Sequence, residues 1–175
     1  MKIDYELTKE DYINFNIYHM DHSETMRRSL FIQRYIISLI FLIVPFVVTG
    51  SSDIPLWYWL SIFIIIFVLW VAFYPRYIKW MIKRRLTKML QEGKNAGLLG
   101  KGSISLTEEG IVKTSDSDDA KTSWSTVEKI IETKELVIIY ISAVSAYIIP
   151  IKAFNNNSHK EEFVNKLNYM RDKTN

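Results

Sequence analysis

Two long apolar runs constrain this chain more than any other feature in it. Residues 35–49 carry no charge, and counted from residue 30 the run reaches 20 residues in which only Gln33 and Arg34 are strongly polar. Residues 56–74 form a second run of 19, with Ser61 its only hydroxyl besides the tyrosines. At about 1.5 Å per residue, each run as a helix reaches roughly 30 Å, the thickness of a bilayer's hydrocarbon core. The competing reading is a pair of core helices in a soluble protein. Soluble helices rarely stay apolar on every face for this long. Arg34 stands near the start of the first run, where its stem can snorkel to headgroups. Pro45 removes a backbone donor inside the run and predicts a kink.

Only residues 50–55 join the runs, which predicts a tight antiparallel hairpin. Arg27, Arg28 and Arg34 precede or enter the first run. Arg76, Lys79, Lys83, Arg84, Arg85 and Lys88 follow the second, and the connector has no Lys or Arg. The positive-inside rule then places both termini in the cytoplasm. Aromatic residues flank the second run at both ends: Trp57, Tyr58 and Trp59 at one, Trp70, Tyr74 and Tyr77 at the other. That is the pattern of interfacial belts. The first 29 residues lack the apolar core that a signal peptide needs.

Charge is distributed unevenly. The chain has 22 basic and 19 acidic residues, a net +3 that is too small to argue for nucleic acid. Residues 76–100, however, carry seven basic groups against Glu92 alone. Within them Ile78, Ile82, Leu86 and Met89 or Leu90 recur at helical spacing, which predicts a basic amphipathic helix. Such a cluster attracts anionic lipid at about 1 kcal/mol per residue near the surface. Arg76, Lys79, Lys83, Arg84, Arg85 and Lys88 are therefore the candidate lipid-headgroup contacts at the inner leaflet. The plainer reading, a stop signal that sets topology, uses the same residues. Residues 95–100 contain two glycines and read as a linker.

From residue 101 the pattern changes to strands. Residues 103–107 alternate, Glu108 to Gly110 turn, and residues 111–114 return. Residues 115–119 read as a loop, 121–132 as a strand with a short helical bend, and 136–141 and 147–150 as two more strands. Pro150 fits a strand end. Ser158 and Glu161 form a capping box that opens a helix with Phe163, Val164, Leu167 and Met170 on one face. Trp124 is expected to be buried between this helix and the sheet. At the other end of the chain Ile3, Tyr5 and Leu7 alternate like a strand able to pair with the sheet edge. Thr8 and Asp11 cap a helix with Tyr12, Phe15 and His19 on one side. The expected fold is an α+β membrane protein: a two-helix transmembrane hairpin plus a small antiparallel sheet domain closed by a C-terminal helix, a pleckstrin-homology-like pattern. The expected segments are 1–29 (cytosolic strand and helix), 30–75 (hairpin), 76–100 (basic helix and linker) and 101–175 (cytosolic sheet domain). The N-terminal strand and helix are expected to dock on the last of these.

Residues that could do chemistry are few. His19 and His22, with Asp21 and Glu24 beside them, have a spacing used in zinc sites, yet a third ligand and a supporting shell are needed. The remaining histidine, His159, falls inside the capping box, where exposure is expected. Asp116, Asp118 and Asp119 resemble half a calcium loop without its later Gly and Glu. Phosphate loops and nucleophile elbows are absent from the sequence. With no cysteine, thiolate sites and disulfides are excluded as well. Neither run has a carboxylate, Lys or His in its middle, so an ion pathway has nothing to work with. An enzyme and a cofactor are not expected.

The order of these pieces resembles a known family. Residues 5–12 followed by Phe15 to His19, the basic-flanked hairpin and the turn over 106–111 are similar to the YcxB-like bacterial membrane proteins. So are the strand with Trp124, Val127 and Ile130, and residues 149–154. The family usually has a basic pair near the last proline; here Lys152 stands alone. The resemblance implies a two-span inner-membrane protein with a cytosolic C-terminal domain, and it carries over no site residues. Two function classes follow. In one, the sheet domain is a membrane-tethered module that binds a protein or lipid. In the other, an immunity-type or regulatory protein acts through the hairpin itself.

Overall fold

A computed structural model describes residues 1–51, 53–92, 98–115 and 119–174. The linker expected around Gly97 and the aspartates Asp116 and Asp118 lie outside the described residues. The chain divides into two compact units, Met1–Asn16 with Leu86–Asn175, and Ile17–Arg85.

The first unit is built on two antiparallel sheets. Four strands run in the order β1 (Lys2–Leu7), β2 (Gly100–Leu106), β3 (Gly110–Ser115) and β4 (Asp119–Ser123). Three more run in the order β5 (Lys129–Glu132), β6 (Leu136–Tyr140) and β7 (Ala146–Pro150). β1 pairs with β2 along its whole length, Ile3 opposite Ile104 and Tyr5 opposite Gly102. This is the docking that the alternation of Ile3, Tyr5 and Leu7 anticipates. Gly102 leaves room there, because a Cβ would stand 3.0 Å from the Tyr5 ring. Burial, and then the neighbouring Tyr147, push the Tyr5 phenol above its ordinary pKa. The β2–β3 turn depends on Gly110. Its φ of +155° and a Cβ position 2.1 Å from the Thr122 carbonyl admit no side chain.

The stretch expected as one bent strand, 121–132, is divided between the sheets. β4 ends at Ser123, a 3-10 turn covers Trp124–Thr126, and β5 begins at Lys129 in the other sheet. Trp124 thus sits on the turn, where its Nε1–H donates to the Thr107 carbonyl at 3.0 Å. Its ring is buried in one cluster with Ile3, Ile104, Ile139, Ile149, Phe163 and Leu167. The last two come from α5 (Asn157–Thr174), with Val164 and Met170 packed at the margin. α5 is capped two residues earlier than expected. The Asn156 Oδ1 accepts the His159 amide at 2.8 Å, and Glu161 is held by Asn157. An Asn at this place satisfies a free helix amide as well as Ser158 would. His159 is consequently half-buried, edge-on to Phe154, not exposed.

Every residue of β6 is buried. Val137 and Ile139 face the main core, and on the other side Tyr140 lies against Phe15. Phe15 belongs to α1 (Lys9–His22), whose buried residues in this unit include Ile13 and Phe15, while Tyr12 is only half-buried. The start of α1 is fixed by reciprocal bonds between Thr8 and Asp11 and by Lys152, whose Nζ lies 2.7 Å from Asp11 Oδ2. Burial raises the Asp11 pKa, but the hydrogen bonds from Lys152 and Thr8 and the Lys152 charge outweigh it and leave the carboxyl below its ordinary value.

The second unit contains the apolar helices. Residues Glu24–Thr49 are helical throughout: α2 (Glu24–Phe31), a π segment (Ile32–Ile36), a 3-10 turn (Ile37–Leu39) and α3 (Ile40–Thr49). The departures from α geometry precede Pro45, at which the sequence predicted them. α4 (Leu56–Gln91) is a single helix of 36 residues. The basic helix expected as a separate element is its C-terminal part, with Pro75 inside it.

Candidate functional site

The site begins with a defect that Pro75 creates. In an α-helix the carbonyl of residue 71 accepts from the amide of residue 75, and proline has no amide. The Val71 carbonyl is therefore left without its helical partner inside an apolar segment, where an unpaired polar group is costly. Arg34 supplies the missing donor: its Nε–H reaches Val71 O at 2.9 Å. The guanidinium also lies 5.0 Å from the centre of the Tyr35 ring. So the one strongly charged residue of the first run is paired and half-buried between the helices.

The local backbone around Arg34 is adapted to this. The Ile37 amide donates to the Ile32 carbonyl, an i→i+5 bond of the π segment that carries Arg34. Single π turns recur where a helix re-aims a functional side chain. The buried Ser38 hydroxyl donates to the carbonyls of Arg34 and Tyr35, at 2.7 and 3.0 Å. A further tie joins the helices nearby, with the Tyr74 hydroxyl donating to Gln33 Oε1.

Above this pairing lies a groove of about 690 Å³. Its apolar lining includes Leu30, Phe31, Tyr74 and Ile78, and Met20, Tyr74 and Ile78 form the small buried cluster beneath. Four cations, Arg27, Arg28, Arg34 and Lys79, and two carboxylates, Asp21 and Glu24, complete it. Lys79 and Asp21 form an ion pair at 2.6 Å. Arg27 and Arg28 are exposed and have no ion pair among the described residues. The groove straddles the ends of both apolar runs, residue 30 on one helix and residue 74 on the other. Polar and apolar recognition therefore meet in one place.

Of the six basic residues expected as lipid contacts, only Lys79 lines this groove. Arg76, Lys83, Arg84, Arg85 and Lys88 are exposed along α4, with Arg84 stacked 5.3 Å from the Trp80 ring. Arg76 to Lys88 cover about 18 Å of helix axis. At about 100° per residue Arg76, Lys79 and Lys83 share a face, while Arg85 points to the opposite side. The six do not converge on one ligand. Arg27 and Arg28 do converge with Lys79, which charge counting along the sequence could not show, because the Asp21–Lys79 pair joins residues 58 apart. The one local sign was Arg34 itself, a charge inside an apolar run.

The other candidates stay apart. His22 Nδ1 is 2.8 Å from the Tyr18 carbonyl and its ring stacks on Tyr18. Among the described residues no three His, Cys, Asp or Glu side chains are grouped to hold a metal ion.

Comparison with curated proteins and with solved structures returned no match. A family model described as YcxB-like protein matches residues 106–167. The matched span runs from the last residue of β2 through β7 into α5, and it includes neither β1 nor the apolar helices. Over residues 106–167, the sheet-and-helix portion of this chain is accordingly similar to the YcxB-like proteins.

Proposed function

We propose that this is a two-span membrane protein with both termini in the cytoplasm, whose sheet unit is a non-enzymatic, membrane-tethered module for a protein or lipid partner. The observation that carries the membrane half is the exposure of the apolar helices. Only 11% of the most apolar window of Glu24–Thr49, and 0% of that of Leu56–Gln91, is buried by protein. A core helix of a soluble protein would be mostly covered. Here Ile43, Phe46, Val47, Ile65 and Val68 all face outward, which in water would be a large uncompensated apolar surface. Trp57 and Tyr58 at one end and Tyr77 and Trp80 at the other are exposed as belt residues would be. The orientation rests on the basic residues that flank the pair of helices and are lacking in the connector.

The module half is supported by the architecture. Among the described residues, seven strands in sheets of four and three, closed by a C-terminal helix, agree with a pleckstrin-homology-like reading in which the hairpin is an insertion between β1 and β2. Both ends of such an insertion must return to the same side of the membrane, as the charge pattern also requires. The exposed cations of α4 would add attraction to an anionic inner leaflet.

The chain has no cysteine, so single-cysteine labelling is clean. With Asp53→Cys, an impermeant thiol reagent should label intact cells; with Ser125→Cys it should label only after permeabilisation. Labelling at Ser125→Cys alone in intact cells would reverse the orientation. Equal recovery of the protein in the soluble fraction would end the membrane reading. For the module, a photocrosslinker at Ser125 should capture the same partner when residues 35–75 are exchanged for an unrelated hairpin. Capture that disappears with the exchange would favour the hairpin as the acting part.

A further inference from the structure

We infer that the groove beside Arg34 is a site for a single anionic phospholipid, with the headgroup phosphate on Arg27 and Arg28 and the start of an acyl chain over Leu30, Phe31 and Ile78. The inference rests on the membrane-spanning reading above and deepens it. That reading needs only diffuse attraction between a basic helix and an anionic surface; this one assigns a bound molecule to a defined place.

The lining matches both parts of such a lipid. Its four cations outnumber its two carboxylates, and Asp21 is already neutralised by Lys79. Arg27 and Arg28 are left with no ion pair among the described residues. Arginine's planar fork suits phosphate, to which it can donate two parallel bonds. Arg34 commits one of its five donors to Val71, and the others have no protein acceptor among the described residues. Beside these cations the lining is apolar, with Leu30, Phe31, Tyr74 and Ile78, and Phe31 is 56% exposed. A free phosphate would leave that surface wet. The volume of about 690 Å³ also exceeds what an ion fills and lies in the usual range of about 300–1,000 Å³ for organic ligands. Finally, the groove spans the polar end of both apolar runs. Lipid phosphates lie at that level, and basic pockets between helices on the cytoplasmic side hold acidic headgroups.

The test uses the full chain, purified in mild detergent, and counts retained lipid by native mass spectrometry. Phosphatidylglycerol and phosphatidylcholine are added in equal amounts. One phosphatidylglycerol per chain should be retained in preference to phosphatidylcholine. Arg27→Gln with Arg28→Gln should weaken that retention roughly thirty-fold, from about 1 kcal/mol for each lost cation. A control with Lys83→Gln, Arg85→Gln and Lys88→Gln removes more charge outside the groove and should retain the lipid. Phe31→Ser, at an exposed position, should weaken retention without loss of charge. Glycerol phosphate and inorganic phosphate should not compete. Equal retention of the two lipids, an equal loss in the control variant, or competition by inorganic phosphate would each overturn the assignment. Failure of the membrane reading would be separate, since it appears in fractionation and thiol labelling whatever lipid is retained.

Discussion

The bond from Arg34 to the Val71 carbonyl makes a prediction that can be isolated from other effects by a double-mutant cycle. Pro75 orphans the carbonyl and Arg34 repairs it, so the two residues should be energetically coupled across 41 positions of sequence. Arg34→Met removes the donor and leaves an unpaired carbonyl in an apolar setting. Pro75→Ala restores an amide at residue 75 and gives Val71 its ordinary helical partner. Each single change has other consequences: Met removes a charge from an apolar segment, and Ala relieves the steric clash of proline. The cycle cancels both. A hydrogen bond to a charged group contributes about 1.5–3 kcal/mol. We therefore expect Arg34→Met to be more destabilising by about that amount with Pro75 present than with Ala at 75. Unfolding of the full chain in mixed micelles, read by helical circular dichroism against denaturing detergent, would supply the four free energies. Additivity of the two changes within about 0.5 kcal/mol would refute the reasoning. Arg34 would then be only a snorkelling cation.

Three further outcomes are expected of the sheet unit. Trp124→Ala should cost about 3–5 kcal/mol in the unfolding of the full chain, because it empties a core position and leaves the Thr107 carbonyl without its donor; an unchanged melting profile would contradict the core described. Gly110→Ala should destabilise by about 1–3 kcal/mol or more, since its Cβ would overlap the Thr122 carbonyl, whereas Gly100→Ala meets no atom within 4 Å and is limited to its backbone strain. Asp11 has a depressed pKa, so its ionised form contributes stability that is present above the unfolded value of about 4 and is lost as the pH falls through the folded value. Asp11→Asn should therefore flatten the loss of stability below about pH 4, and a stability–pH curve identical to that of the parent chain would exclude this role.

Legibility differed by the range of the interaction. The strand β1 and the turn at Gly110 were readable because alternation and turn chemistry are local, and Trp124 was readable as core because the apolar face of the C-terminal helix, with Phe163 and Leu167, needs a partner in the sheet. The short helical bend within 121–132 was readable, but not that Trp124 sits on it or that it divides the stretch between two sheets, because only the pairing of β4 and β5 with different partners does so. The cap was read at Ser158 from its spacing to Glu161; in the fold Asn157 takes Glu161 and Asn156 accepts the His159 amide. The second run and the basic helix were read as separate elements; they are one helix, and the donor for the carbonyl that Pro75 leaves unpaired comes from Arg34, far away in sequence. The groove was hidden for the same reason. Arg27 and Arg28 read as topogenic charges until the pairing of Asp21 with Lys79 sets the two helices side by side.

The central claim is that the hairpin is inserted within one sheet unit, between β1 and β2, and it can be tested by cross-linking across that pair. Glu6 and Lys101 are exposed and directly opposite in the register, and opposed residues of an antiparallel pair lie about 4.5–5.5 Å apart at Cα, within disulfide reach. The double variant Glu6→Cys with Lys101→Cys, oxidised mildly in isolated membranes, should form an intramolecular disulfide that returns residues 1–8 and the tail to one fragment after cleavage in the hairpin. Failure to cross-link, or cross-links only between chains, would contradict the account.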